Sequence, residues 1–197
     1  MKSLLYLQIC LQTFLNHINN YHTISSEAKN ALMDCFVKKE FYKKEFLLQE
    51  GNICRYLYFV EKGALRGFYN LDGKEVTHWF GFENDFVTSF HSFITGTAAV
   101  ENIQFLEYSV LWALPKEKIL GLFDKFHETE RLVRIIYEKY YIRLEDRFVN
   151  AQFKTAAERY ESLLTQTPHL LTRVPLGYIA AYLGITQETL SRIRSKV

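Results

Sequence analysis

Residues 174–197, VPLGYIAAYLGITQETLSRIRSKV, read as two short helices joined by a tight turn. Within 176–183, Ile179, Ala180 and Leu183 recur at helical spacing and make one buried stripe. Gly184 follows where a left-handed C-cap meets the least steric penalty. Thr186 stands as the N-cap of the second helix, with Ile185 and Leu190 at the N′ and N4 positions of a hydrophobic staple. That helix carries Leu190, Ile193 and Val197 on its apolar back. Its opposite face presents Gln187, Glu188, Ser191, Arg192 and Ser195, with Arg194 and Lys196 beside them.

An apolar back and a polar front near the N-terminus suit a helix that reads the DNA major groove. Glutamine bonds adenine bidentately, glutamate accepts from the cytosine amino group, and arginine forks onto guanine. Thr186 and the open amides of the first turn can hold a phosphate. The expected DNA-contacting set is Thr186, Gln187, Glu188, Thr189, Ser191, Arg192, Arg194 and Lys196. A small helical hairpin with a solvated face would share this pattern, so the rest of the chain has to decide between them.

The chain has 197 residues, enough for one large domain or two small ones, and 48% hydrophobic with 23% charged residues is ordinary for a globular protein. Aromatics reach 16%, most of them expected in the core. Net charge is only +2, unevenly placed: residues 151–197 hold six Lys/Arg and three Asp/Glu, the preceding 150 hold 18 and 19. The basic excess falls where DNA contact is inferred. It is modest, and two copies on one duplex would bind better than one. Cys10, Cys35 and Cys54 are scattered and odd in number, which supports neither a disulfide framework nor a zinc or iron–sulfur site. The opening MKSLLYLQICLQTFLNHI is interrupted by Gln8 and Gln12 and lacks a small-residue cleavage site, so it reads as a helix rather than a leader. No run reaches the ~18 apolar residues of a membrane span. A cytoplasmic protein is expected.

Residues 3–20 and 26–37 look like amphipathic helices, the second capped by Ser25 or Ser26. From Phe41 the period changes. The runs YLYFV, ALRGFY, EVTHWF, FVTSF and NIQFLEYSVLWAL alternate with turn signals, and no helix is expected among them. Such spacing predicts an antiparallel barrel or jelly roll over about 41–114, with Asn70-Leu71-Asp72-Gly73 as the clearest hairpin tip. Pro115 opens a helical region, and a long helix is expected over about 128–150. Val133, Tyr137, Tyr140 and Leu144 make one seam on it, and Leu132, Ile135, Ile142 and Val149 lie elsewhere on its circumference. A helix apolar on two sides is expected to pack one side on the barrel and the other on a second copy of itself. Thr155-Ala-Ala-Glu158 is a capping box that starts a new helix, ended by Pro168.

This order of elements resembles the CRP/FNR family of bacterial transcription regulators, over nearly the whole chain. Gly51-Asn-Ile-Cys-Arg-Tyr-Leu-Tyr-Phe-Val-Glu-Lys-Gly63-Ala-Leu-Arg66 looks like the family's paired-glycine signature, and Asn84-Asp85-Phe86-Val87 like its Gly-Asp-Phe turn. Thr186-Gln-Glu-Thr-Leu-Ser-Arg192 is similar to its Ser-Arg-Glu-Thr-Val-x-Arg segment. The resemblance implies an α+β fold. A jelly-roll sensor domain with flanking helices would occupy 1–127, a dimerisation helix 128–152, and a winged-helix-like helix-turn-helix domain 153–197. It implies a homodimer on a near-palindromic double-stranded DNA site, half-sites roughly 34 Å apart, with RNA polymerase as a candidate partner. Glu188 and Arg192 match base-contacting positions; Gln187 stands where cyclic-AMP-binding members often have Arg. The chain stops at Val197, where many members continue into a hairpin, so the winged part is minimal or the chain is cut short.

The sensor half departs further. Cyclic-nucleotide members hold the phosphate with a Gly-Glu pair and an Arg-Ser pair; here Thr88-Ser89 and Ala99-Val100 occupy those places. Without the guanidinium a buried phosphate loses its charge-assisted hydrogen bonds. Cyclic AMP or cyclic GMP is therefore not expected to bind in the usual way, and the effector, if there is one, is an unidentified small molecule. Its pocket is expected at Thr88, Ser89, Ala99, Val100, Tyr137, Tyr140 and Tyr141, with dimer packing the preferred use of the three tyrosines. Haem would need His78, His91 or Cys54, better read as structural residues. A jelly-roll metalloenzyme wants a His-x-His that the chain lacks, so no catalytic or metal site is expected. The remaining alternative is a sensor module acting through protein partners, which the Gln187–Glu188–Arg192 face argues against.

Overall fold

A computed structural model describes residues 24–195. The expected helix at 3–20, Cys10, Lys196 and Val197 lie outside these residues. Helix α1 spans Ser26–Met33, with the Ser25 hydroxyl accepting the Ala28 N–H at 3.1 Å. It is shorter than the expected 26–37, because Val37 already pairs with Ala113 as the first residue of a strand.

Eight strands follow: β1 Val37–Phe41, β2 Phe46–Leu48, β3 Tyr56–Lys62, β4 Leu65–Leu71, β5 Lys74–Gly81, β6 Phe86–Val87, β7 Asn102–Phe105 and β8 Ser109–Pro115. They form two antiparallel four-stranded sheets, in the orders β1-β8-β3-β6 and β2-β7-β4-β5. Alternating inward residues from both sheets, among them Leu57, Phe59, Leu65, Ile103, Phe105 and Leu111, fill the space between. Each such buried side chain contributes roughly 1.5–3 kcal/mol. The expected hairpin tip is present: Leu71 pairs with Lys74, and Asp72 and Gly73 both take positive φ, 51° and 80°. That is the two-residue turn whose twist matches the strands it joins.

One expectation fails here. FVTSF is a strand only at Phe86–Val87, and helix α2, Phe90–Thr95, interrupts the roll. Phe90 and Phe93 are one helical turn apart and both buried, and Gly96 ends the helix at φ 74°. A period of three beats a period of two over so short a run.

Helix α3, Lys116–Phe123, starts directly after Pro115, and α4, His127–Phe153, runs on from it. The two halves of α4 have different surroundings. Leu132, Val133 and Ile136 are buried against the roll's flanking helices. Further along, Tyr141, Ile142, Phe148, Val149 and Phe153 are exposed. The chain then breaks at Lys154 and restarts in α5, Ala156–Gln166, where the Thr155 capping box is complete: its hydroxyl accepts the Glu158 N–H, and its own N–H donates to Glu158 Oε2 at 2.7 Å. A single turn, α6 Leu170–Arg173, precedes α7 Leu176–Leu183 and α8 Gln187–Arg194. The described C-terminal residues contain no strand beyond Pro115.

These last helices share a second core with the roll. Ala64, Phe82 and Leu106 of the roll pack with Tyr160, Leu163, Leu170, Ile179, Leu183 and Leu190. Arg173 pins the contact, donating to Glu83 at 2.7 and 2.8 Å and to Glu107 at 2.5 Å. Arg66, fully buried, lies between the rings of Phe68 and Tyr178 at 4.0 and 3.6 Å, while its Nη2 meets Glu75 and Gln104.

Candidate nucleic-acid interface and effector cavity

The helical hairpin forms as its residues dictate. Gly184 closes α7 at φ 68°, ψ 30°. Thr186, extended at φ −78°, accepts the Thr189 N–H at 3.2 Å and starts α8. Leu190 is fully buried and Ile193 packs beside it, with Ile185 at the entry. This docking leaves Gln187, Glu188, Ser191, Arg192 and Arg194 exposed and Thr189 half-buried. Arg192 reaches only the Thr189 hydroxyl, at 3.3 Å, and no carboxylate lies within 4 Å of it among the described residues. Its guanidinium is thus open to a partner. The Glu188 carboxyl is held below its ordinary range, first by its own backbone N–H and next by the Thr186 hydroxyl, so at neutral pH it acts purely as an acceptor.

The roll presents a different chemistry. Thr88 and Ser89, where a phosphate-binding pair would stand, are buried. The Thr88 hydroxyl donates to the Tyr56 carbonyl at 2.8 Å and lies 3.2 Å from Cys54 Sγ, so it is already committed. Ala99 is buried, Val100 is exposed, and the next residue, Glu101, puts a carboxylate inside. Glu101 accepts from Trp79 Nε1 at 3.1 Å and contacts His78 Nε2 at 2.6 Å. Burial would raise its carboxyl, but hydrogen bonds from His78, Ser89 and Trp79 outweigh that and hold it below the ordinary carboxylate range. Gly67 makes room for this cluster; a Cβ there would come within 2.2 Å of the Trp79 indole nitrogen. A buried negative charge therefore follows directly on the Ala99–Val100 pair. Nothing in the local pattern marks Glu101, because an acid at the start of a strand is ordinarily solvated.

His78, stacked on Tyr69 at 4.4 Å and bonded to Glu101, is structural in this setting; Cys54 is buried against Thr88, and His91 is exposed. The three do not converge. Among the described residues, no group of three His, Cys, Asp or Glu is placed to hold a metal ion.

A cavity of about 430 Å³ opens where the roll, α4 and the C-terminal helices meet. Of the expected effector residues, Thr88 and Tyr140 line it; Ser89, Ala99, Val100, Tyr137 and Tyr141 do not. Tyr141 points outward, 63% exposed, and Tyr137 packs edge-on against Phe90. The Tyr140 ring stacks on Phe90 at 3.7 Å, and burial pushes its hydroxyl up to about 12. The residues that sequence reasoning missed come from farther along α4. Arg143 pairs with Asp85 at 2.8 Å, and Arg147 enters the cavity wall. Their signal was present: both lie one or two turns beyond Tyr140, on the side that faces the roll.

A family model described as the cyclic nucleotide-binding domain matches residues 38–126. No curated protein sequence matches the chain. Among solved structures it is similar to FixK2 from Bradyrhizobium japonicum, at 20% identity and a TM-score of 0.72, over 82% of this chain and 83% of that one. It is similar to a chain from Eubacterium rectale assigned to the crp/fnr family of transcriptional regulators (18% identity, TM-score 0.69, 91% and 85% covered). It is also similar to CLP of Xanthomonas campestris, described as a c-di-GMP responsive global regulator (16% identity, TM-score 0.66, 87% and 91% covered). At these identities the likenesses speak to the fold. No helix among the described residues is long and apolar enough to cross a membrane. Residues 38–126 thus match the cyclic nucleotide-binding domain model, and the chain as a whole shares the fold of the CRP/FNR-type structures to which it is similar.

Proposed function

We propose that the protein is a homodimeric, sequence-specific DNA-binding transcription regulator, acting in the cytoplasm and without catalytic activity of its own. The observation that carries this reading is the front of α8, where Gln187, Glu188 and Arg192 stand exposed on a helix docked from behind by Leu190. Thr186, Thr189, Ser191, Arg194 and Lys196 would serve the phosphates and neighbouring bases. A solvated hairpin acting through protein partners has no need of an arginine left without an ion pair on the same exposed face as Gln187 and Glu188.

The dimer seam we assign to the second half of α4. Tyr141 and Phe148 are seven residues apart, as are Ile142 and Val149, the repeat of two helices wound around each other. These residues turn away from the roll and are exposed. On this reading 1–127 senses, 128–152 dimerises and 153–197 reads DNA, with RNA polymerase as a further partner at a promoter. The sensor would not take cyclic AMP or cyclic GMP in the usual way, since Ala99 and Val100 bring no guanidinium and the next residue, Glu101, is a buried carboxylate. Selection of bound sites from random duplex DNA, with sedimentation of the complex, tests the reading. A near-palindromic consensus bound by two chains is expected; binding without sequence preference, or by single chains, overturns it. Calorimetry with both nucleotides tests the sensor, and micromolar affinity would refute the exclusion.

A further inference from the structure

The cavity at the three-way junction has one cation in its wall without an ion pair among the described residues. Arg147 lies in its wall, with Nη2 3.4 Å from the Thr77 carbonyl and its guanidinium carbon 4.8 Å from the centre of the Tyr182 ring. No carboxylate lies within 4 Å of it among the described residues. Of the other charges nearby, Arg143 pairs with Asp85 and Glu101 with His78 and Trp79, while Asp146 is exposed at the rim, where water solvates it. Burial lowers the affinity of Arg147 for its proton, with only the tyrosines Tyr182, Tyr69 and Tyr140 acting against that. A guanidinium partly withdrawn from water without a counter-ion carries a desolvation cost, and an anion arriving beside it offsets that cost.

The rest of the wall says what that anion should be attached to. Phe80, Phe82, Phe90, Tyr140 and Tyr182 surround the space with aromatic rings, which favour a flat, apolar body in stacked or edge-on contact. The volume of about 430 Å³ falls within the range of small-molecule sites. A single open cation matches a single negative charge. A phosphate monoester brings nearly two, against that one cation and with the Glu101 carboxylate already acting on Tyr140 in the wall.

We propose that this cavity is a binding site for an aromatic monoanion, an aryl carboxylate in chemical class, with Arg147 as its counter-ion. The inference deepens the reading of the protein as a regulator by naming its effector class. The ligand would touch β5 through Phe80, α4 through Arg147 and α7 through Tyr182, so its binding energy would bear on how the helix-turn-helix sits on the roll.

The test needs no DNA, so its failure is separate from any failure of DNA recognition. Calorimetry of the full chain with 2-naphthoate, 2-naphthamide and 2-naphthyl phosphate compares one body carrying three charges. One 2-naphthoate per chain is expected, at least ten-fold tighter than either of the others, and Arg147→Gln should reduce it to the level of the amide. Equal affinity for acid and amide, tighter binding of the phosphate, no binding of the acid at millimolar concentration, or a folded R147Q that keeps the preference would each overturn the proposal. If R147Q does not fold, the acid–amide comparison on the unaltered chain decides alone.

Discussion

The front of α8 and the interior of the roll handle charge in opposite ways. On α8, Arg192 and Arg194 stand in solvent with no carboxylate attached. Inside, Glu101 is bound by His78 and Trp79, and Arg66 is closed between two rings. An ion left in water keeps its capacity for a later partner, whereas a buried ion has its partners chosen by the fold. The comparison teaches that the charges on α8 stay open to solvent, while the roll's ionic groups are largely committed, save for Nε and Nη1 of Arg66, which are buried without a hydrogen-bond partner.

Substitutions can separate the two regions. The largest effect is expected from Phe148→Glu, which puts a charge in the exposed apolar stripe of α4. It should turn a dimer into a monomer in sedimentation and weaken DNA binding by about 10²–10⁴-fold, because the second half-site is no longer reached in the same complex. The roll should be unchanged by circular dichroism. Leu190→Ala attacks α8 from behind. It removes a fully buried side chain from the second core and should cost about 2–5 kcal/mol in thermal or urea unfolding, with DNA affinity lost as a consequence. Arg192→Ala attacks the same helix from the front. Stability should hold, while affinity for the selected site falls by ~1–3 kcal/mol and base choice relaxes at one position. Equal losses on all sequences would make Arg192 a phosphate contact instead. Thr155→Ala, which breaks the capping box between α4 and α5, should lower stability by about 1 kcal/mol in the same unfolding assay.

Acid addresses the clamp between the two regions. Burial would raise the Glu83 carboxyl, but its hydrogen bonds from Arg173 and from the Gly63 N–H prevail and bring it to about 2. A depressed carboxylate contributes stability that is present above its unfolded value, ordinarily ~4.3, and is lost as pH falls towards 2. The contact between the C-terminal helices and the roll should therefore loosen in that window, and Arg173→Ala should weaken the acid dependence, leaving the part due to the Gly63 N–H. Limited proteolysis across pH 2–5 reads both.

Much of this was legible beforehand, and the reason is local. The 174–195 hairpin, its Gly184 cap, the Thr155 capping box and the Asp72–Gly73 turn depend on neighbours in sequence, and each forms as read. What escaped depends on distance. Arg173 meets Glu83 across 90 residues, and Glu101 meets His78 across 23, and no periodicity records such pairings. The seam of Val133, Tyr137 and Tyr140 turns to the roll through Phe90 and the flanking helices, while Tyr141, expected near the effector, turns away. Apolar content indicated two packed sides on α4. Which side met which surface required the fold.

The chain's two tryptophans differ in a way that an optical measurement can exploit. Trp112 is buried in the roll, its indole nitrogen 2.5 Å from Glu61, away from the junction. Trp79, seated over Gly67, lines the cavity and shares Glu101 with His78. Replacing Trp112 with phenylalanine would leave a single tryptophan beside a fixed negative charge, whose emission colour and quenching, excited beyond the tyrosine band, register any molecule entering next to it. The protein thus carries its own dye.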